Sequence, residues 1–422
     1  MSSIAVKWST WTMLTLFYAY QFVSRIIPNI VVDNIAEKYE IDAGKIGSFA
    51  GIYYIGYIIM HIPLGIIVEH FNVKKVVPIC IIVTVIGFTP LLYSKSFTLA
   101  YYGRLFVGLG SAGATVSAFK LLRLLFGKSK FPKMLGWMGT IGLLGAIFGS
   151  GPLSKFVLLV GWVSALNYIL IFGLALSFFS YFIIPNTQSN TEFNINAIKN
   201  DFKYLLANKV VILIAILGGL MIGPLEGFAD MWSNKYLITV FKIDNQIAGN
   251  ITQFIYIGMS VGLVVTSYIF EKTKLCYSLL LTKSLLMLIS FLLMVNNLVQ
   301  NNIILLKLLY YIIGFSCSYQ ILIISKAVIL TNGRSSTFVS SIVNMVMMCF
   351  GFSMHITIGK LLNYFSEVTI NNISTRQVYT IYSFHSSLII IPICLALASI
   401  GLSLLILKEK RNKKYPLKSC LS

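Results

Sequence analysis

Long runs of apolar residues, separated by short polar or charged stretches, follow one another along the whole chain. A membrane-spanning helix needs about 20 apolar residues, because each residue adds about 1.5 Å and the hydrocarbon layer is about 30 Å thick. Breaking the sequence at charged and Asn-, Gly- or Pro-rich stretches gives twelve such runs. The predicted spans are residues 9–32, 44–68, 76–93, 97–122, 134–157, 161–184, 209–231, 247–270, 275–295, 302–326, 335–361 and 379–407. The pattern therefore predicts an all-α polytopic membrane protein with 12 transmembrane helices.

The composition supports this class and excludes others. Of 422 residues, 57% are hydrophobic and 11% charged, whereas soluble domains carry about 25% charged residues. A soluble enzyme and a disordered chain are both excluded. The net charge of +20 does not indicate nucleic-acid binding, because the basic residues do not share one face. The six cysteines stand singly and the four histidines lie on separate elements, so we expect no metal site, no cofactor and no enzymatic activity.

The basic residues predict the orientation of the chain. Twelve spans put both termini on one side, and 20 of the 33 Lys and Arg residues fall on that side against nine on the other. Cytoplasmic loops carry the excess of basic residues, so we expect both termini in the cytoplasm. The longest polar stretch, 185–208, then becomes a cytoplasmic linker between a first half, 1–184, and a second half, 209–407. The basic tail, 408–422, is expected to contact anionic lipid headgroups.

A short motif occurs once in each half. Gly65 precedes Glu69 by four residues after the second span, and Ser267 precedes Glu271 after the eighth, each followed by basic residues such as Lys74 and Lys75 or Lys272. A carboxylate in such a turn can pair with a basic group or a helix N-terminus. The repeat predicts a latch that breaks when the two halves rock.

These turns, and two further patterns, resemble the major facilitator superfamily. The turn is similar to its G-x-x-x-D-R-x-G-R-R signature, with His70 and Asn72 as departures, and Asn suits a left-handed turn position. Arg104-x-x-x-Gly108 in the fourth span and the glycine-proline run of the fifth, Gly149-Ser-Gly151-Pro152, are similar to its other motifs. The resemblance implies two pseudo-symmetric six-helix bundles, transport by alternating access and a monomer.

A finer resemblance concerns the first and seventh spans. Tyr20-Gln21-Phe22 with Arg25, and Asp230-Met-Trp232 with Tyr236, are similar to a bacterial branch of phagosomal-transporter type. Several members of that branch import amino acids. The resemblance implies a multi-pass protein of the bacterial inner membrane that takes up a nutrient.

Ionisable side chains inside spans are candidate functional groups, because their burial in lipid costs energy unless they are paired or hydrated. Arg25 lies in the outer half of span one, and Glu226 and Asp230 share one face of span seven. In the superfamily the first, fourth, seventh and tenth helices line the cavity. Other candidate substrate contacts are Tyr18, Gln21, Tyr53, Tyr57, Tyr256, Gln320 and Asn344. His61 is a candidate proton relay.

Several candidates also have plain structural interpretations. Arg104 can hold neighbouring helices or act in gating, and Asp230 can be a solvated loop acid beyond the hydrocarbon. His61 can be a buried histidine bonded to a carbonyl. We expect Arg25 to bind a substrate carboxylate and Glu226 a substrate ammonium group.

The expected function is therefore secondary transport of an amino acid or similar zwitterionic solute. We expect a symporter driven by protons through Glu226, Asp230 or His61. Export of a drug, siderophore or other metabolite is the alternative within transport. A non-transporting membrane sensor is the alternative outside it.

Overall fold

The computed structural model describes residues 4–187, 208–273, 275–295, 302–331, 336–371 and 374–414. The first half contains α1 (Ile4–Ile30), α2 (Val32–Tyr39), α3 (Ala43–His70), α4 (Val73–Tyr93), α5 (Phe97–Phe148), α6 (Gly151–Val160) and α7 (Trp162–Ile183). The second half begins with α8 (Lys209–Leu220), a π-helical segment (Gly223–Ala229), α9 (Ser233–Phe241), α10 (Asn245–Thr273) and α11 (Cys276–Val295). It continues with α12 (Ile303–Cys317), α13 (Tyr319–Leu330), α14 (Ser336–Phe365), β1 (Glu367–Asn371), β2 (Ser374–Val378), α15 (Ile381–Leu388) and α16 (Ile390–Lys414).

The predicted spans correspond to these helices, and several spans are interrupted. By length and composition, 10 helices in the described part could cross a membrane, or 11 with the pair α8 and the π segment, which bends by 42°. Helix α1, of 27 residues, packs beside them and supplies the twelfth segment. Gly127, with φ of 74°, separates the fourth span from the fifth within α5. The tenth span breaks at Ser318.

Glycines allow the helices of each half to touch at their backbones. In the first half, a Cβ on Gly108 of α5 would overlap the carbonyl oxygen of Tyr53 in α3. In the second half, a Cβ on Gly314 of α12 would overlap the carbonyl oxygen of Ile255 in α10. Small residues permit such close approach between membrane helices. The same contact in both halves agrees with the pseudo-symmetric fold.

The two halves are in direct contact at the end of the molecule opposite the chain termini, which we call the distal end. Helix α3 packs on α14, and α10 packs on α5 and α6. A Cβ on Gly359 would lie 2.6 Å from the carbonyl oxygen of Ala43, and one on Gly47 would overlap the carbonyl of His355. All these residues lie near the distal ends of α3 and α14. The described helices therefore close the distal end by direct backbone contact.

Some short elements between the long helices do not appear as hydrophobic runs in the sequence. Helices α2 and α9 have eight and nine residues, and β1 pairs antiparallel with β2 with Glu367 opposite Val378. Such elements are too short or too polar to register as spans. Of the predicted linker, residues 188–207 lie outside the described residues, as does the end of the tail from residue 415.

Candidate functional site

Arg25 of α1 forms two buried ion pairs with the second half of the chain. Its Nη1 lies 3.0 Å from Oε2 of Glu226, and its Nε lies 2.8 Å from Oδ2 of Asp230. The arginine is 7% exposed and the two carboxylates 2% or less. The three charges that the sequence places inside spans one and seven therefore meet at one point between the halves.

Two tyrosines complete this cluster. The hydroxyl of Tyr54 in α3 lies 2.7 Å from Oε2 of Glu226 and 2.7 Å from Oδ2 of Asp230. Tyr256 of α10 donates to Oδ1 of Asp230 at 2.9 Å. The carboxylates are thus held by groups from α1, α3 and α10. We call Arg25, Tyr54, Glu226, Asp230 and Tyr256 the charge cluster.

The π segment explains why both acids face α1. Pro224 lacks an N–H group and lies just beyond the end of α8, where it interrupts regular helical bonding. The backbone N–H of Asp230 then donates to the carbonyl of Leu225 at 3.1 Å, five residues back. Such wide turns are frequent at functional sites. Both carboxylates consequently point into the boundary between the halves.

Arg104 binds the backbone of α1 rather than the acids. Its Nη1 donates to the carbonyl of Ser24 at 2.6 Å, and its Nη2 donates to the carbonyl of Arg25 at 2.5 Å. Pro28 lies four residues after Ser24 within α1 and has no N–H for that carbonyl. The guanidinium group therefore replaces a missing helical donor directly behind Arg25.

A ladder of polar contacts runs from the charge cluster to the distal surface. Asn29 Nδ2 donates to the carbonyl of Ala229 at 2.9 Å, and the backbone N–H of Asn234 donates to Asn29 Oδ1 at 3.0 Å. Beyond it, Lys235 Nζ lies 2.6 Å from Oδ1 of Asp33. These contacts tie the distal end of α1 and the start of α2 to the second half.

The other predicted cavity residues of the first half extend toward the end that holds the termini. Gln21 Nε2 donates to the hydroxyl of Tyr53 at 2.8 Å, and the hydroxyl of Tyr57 lies 3.1 Å from that of Thr115. His61 Nδ1 lies 2.9 Å from the carbonyl of Tyr57, the contact expected for a structural histidine. Tyr18 packs edge-on against Phe22.

In the second half, Gln320 and Asn344 are both half-buried, on α13 and α14. Gln320 Nε2 has no hydrogen-bond partner among the described residues. Neither residue belongs to the charge cluster. Their contact with substrate stays a prediction.

The predicted latch also stays a prediction. The side chain of Glu69 lies outside the described part of the structure. Lys74 places its Nζ 5.2 Å from the ring centre of Tyr181. Lys75 and Glu271 are exposed.

The expected left-handed turn at Asn72 is wrong. Its φ is −68°, and its side-chain oxygen accepts from the N–H of Lys74 at the start of α4. The same oxygen accepts from the N–H of Thr187 at 3.1 Å, and Thr187 Oγ1 in turn accepts from the N–H of Val73. Asn72 is thus a helix cap that holds the beginning of the predicted linker.

The predicted gating glycines lie at contacts between helices. Gly108 faces α3, and a Cβ on Gly149, at the end of α5, would lie 2.8 Å from Ile26 of α1. A Cβ on Gly151 would overlap a side-chain oxygen of α10, and Pro152 is the second residue of α6. The run therefore marks a packing site between α5, α1 and α10.

Three residues around this site are absent from the candidates that the sequence indicates. Tyr54, Asn29 and Asn234 each contact the opposite half. One signal was available, because Asn29 follows Arg25 by four residues and Asn234 follows Asp230 by four. Polar residues at that spacing share a helix face.

Proteins of known structure share this architecture. Solved structures that resemble the chain are transporters, at identities that support the fold alone. A bacterial homologue of the human lysosomal transporter Spinster, inward-facing and unoccupied, gives a TM-score of 0.72 at 14% identity, covering 96% of this chain and 97% of that one. A mutant of the nucleoside transporter NupG gives 0.74 at 15% identity, covering 93% and 99%. A D-xylose–proton symporter gives 0.73 at 12% identity, covering 94% and 97%. No curated protein sequence matches significantly.

The fold, with a buried charged site between two halves, is that of a multi-pass membrane protein. The model of the Major Facilitator Superfamily matches residues 12–355, and the chain belongs to that family. The resemblance to this superfamily that the sequence motifs indicated is confirmed, and the finer resemblance to a bacterial branch stays a prediction.

Proposed function

We propose that the chain is a proton-coupled importer of an amino acid or similar zwitterionic solute. The observation that carries the proposal is the position of Arg25, which joins the two halves through Glu226 and Asp230. A substrate carboxylate can take the place of one of these acids on the guanidinium group, which binds carboxylates in a bidentate manner. The displaced acid is then free to bind the substrate ammonium group.

Proton coupling is supported by the number of hydrogens in the charge cluster. Tyr54 has one hydroxyl hydrogen, yet its oxygen lies 2.7 Å from oxygens of both Glu226 and Asp230. The tyrosine can donate its hydrogen to only one of these oxygens. The other contact becomes a hydrogen bond when that carboxyl group is protonated and donates to the tyrosine oxygen. With one of the two acids protonated, the charge of Arg25 is balanced by a single carboxylate, so the buried cluster is neutral.

The orientation follows from the positive-inside rule, which assigns both termini to the cytoplasm. The closed distal end then faces the outside, and the protein is open or occluded toward the cytoplasm. We further propose that it works as a monomer in a bacterial inner membrane, with residues 1–184 and 209–407 as moving bundles and the basic tail on anionic lipid.

The test is an uptake screen of labelled amino acids, sugars and organic acids in a transporter-deficient host. Arg25→Ala should abolish uptake while membrane insertion is unchanged, and Arg123→Ala, on the exposed surface of α5, serves as the control. A protonophore should collapse accumulation. Normal uptake by Arg25→Ala contradicts the site assignment, and accumulation that only follows the substrate gradient contradicts proton coupling.

Export of a drug, siderophore or other metabolite is the alternative within transport. It is separated from import by comparing accumulation in cells with and without the protein, because an exporter lowers the internal level. A non-transporting sensor would show neither change.

A further inference from the structure

His355 of α14 lies where α14 crosses α3 at the distal end. The residue is 1% exposed. A Cβ on Gly47 of α3 would overlap the His355 carbonyl, and one on Gly51 would lie 3.5 Å from the His355 Cβ. The backbone of α3 therefore covers this histidine directly. Water can reach the ring only when the two helices separate.

The imidazole ring has no polar partner in this closed arrangement. Neither Nδ1 nor Nε2 has a hydrogen-bond partner among the described residues. The ring instead packs on Tyr54, with ring centres 5.2 Å apart and planes inclined by 31°. An unpartnered buried polar group is costly. A second state of the protein, in which both nitrogens are hydrated, would remove that cost.

Groups from three other helices and from the π segment surround the ring while the interface is closed. Tyr54 faces it from α3, and Arg25 of α1 and Arg104 of α5 act on it electrostatically. Glu226, from the π segment, lies against α14 one turn before the histidine and is already paired with Arg25. An imidazolium ion here would have two cations nearby and no acceptor of its own.

We propose that His355 is a proton-binding site of the distal gate. The proton comes from the solution on the distal side and forms an N–H bond when α3 and α14 separate. It must leave again before the interface closes. Tyr54 packs on the ring and hydrogen-bonds Glu226 and Asp230, so it lies between this site and the charge cluster. The proposal rests on the proposed transport function only in requiring that the halves move.

The size of the pH effect on opening follows from the linkage between proton binding to His355 and separation of the two helices. If only the open state binds the proton, with the ordinary imidazole pKa of about 6.5, acid stabilises that state and the effect is lost above that pH. The ratio of open to closed molecules should then rise about tenfold between about pH 8 and about pH 5.5.

The experiment measures distances across the distal end at the two pH values. Spin labels are attached at the exposed positions Lys45 of α3 and Lys360 of α14, in a variant with its native cysteines replaced, and the protein is reconstituted without substrate. We expect more long distances in acid. His355→Gln should lose most of this pH response, and His355→Lys should be shifted toward open at both pH values. His385→Gln, which removes a half-buried histidine elsewhere on the distal side, should keep the normal response.

The outcomes separate this proposal from the proposed function. A full pH response in His355→Gln overturns it, as does a shift of His355→Gln toward open at both pH values, because the ring then acts by packing alone. A response that depends on His355 in a protein whose uptake is insensitive to protonophore would refute proton-coupled uptake and support the gate site. Loss of folding in His355→Lys, seen by gel filtration, leaves His355→Gln as the deciding variant.

Discussion

Replacing Arg104 by Met tests whether this arginine stabilises α1 around Pro28. The side chain gives two charge-assisted hydrogen bonds, to the carbonyls of Ser24 and Arg25. Each such bond contributes about 1.5–3 kcal/mol. We therefore expect the unfolding free energy to fall by about 3 kcal/mol or more. The measurement is the unfolding midpoint of purified protein in denaturant.

A second substitution tests whether Arg104 acts by replacing the N–H donor that Pro28 lacks. Pro28→Ala returns an N–H group to the position that donates to the carbonyl of Ser24 in a regular helix. In the Arg104→Met background it should recover about 1 kcal/mol, the usual worth of a neutral hydrogen bond. In the native background, where Arg104 already occupies that carbonyl, the gain should be absent. The two changes should therefore be non-additive by about 1 kcal/mol.

Additive effects would refute this reasoning, because they would mean that Arg104 and Pro28 act independently. Arg123→Met is the matched control, since Arg123 is an exposed arginine on the same helix. Its substitution should change the unfolding free energy by less than about 0.5 kcal/mol. An effect of Arg123→Met as large as that of Arg104→Met would trace the loss to surface charge.

Three further predictions concern other contacts. Gly47→Leu should block closure of the distal end and abolish uptake, whereas Gly139→Leu, where a Cβ has open space, should leave uptake unchanged in the same assay. Lys283→Met should lower the unfolding free energy by about 2 kcal/mol, because Lys283 Nζ donates to two oxygens at the break of the tenth span, at 3.0 and 2.8 Å. An unchanged unfolding midpoint in denaturant contradicts that role. Asp33→Asn should cost less than about 1 kcal/mol, because Asp33 is exposed in its ion pair with Lys235. A larger loss in a denaturant titration would show that this pair holds the distal end closed.

The spans could be predicted from the sequence because hydrocarbon thickness fixes their length. The last span, predicted as 379–407, is a continuous apolar segment at Ile381–Glu409. The breaks inside spans could not be predicted. The seventh span reads as one hydrophobic run, yet it bends at Met221 and continues as a π segment. Hydropathy counts apolar residues and carries no information on which backbone hydrogen bonds they make.

The charged members of the site could be predicted, but their partners could not. Arg25, Glu226 and Asp230 stand out because charge inside a span is costly. Tyr54 does not, because the chain has 23 tyrosines and only the packing of α3 on α14 brings this one within reach of the acids. Arg104 stands out equally, but its contact depends on a carbonyl that Pro28 leaves free, which is a property of the folded helix.

The position of the charge cluster restricts how the proposed transport cycle can run. Opening the distal end separates α1 from the π segment and breaks the ion pairs of Arg25. Breaking a buried ion pair without replacing the partner costs about 3–5 kcal/mol, so an empty carrier with bare charges would rarely open. A substrate carboxylate bound to Arg25 offsets that cost by pairing the cation. A proton on Glu226 or Asp230 offsets it by neutralising the acid. Under the proposed function, the few charges inside the spans thus couple opening to the arrival of substrate and proton.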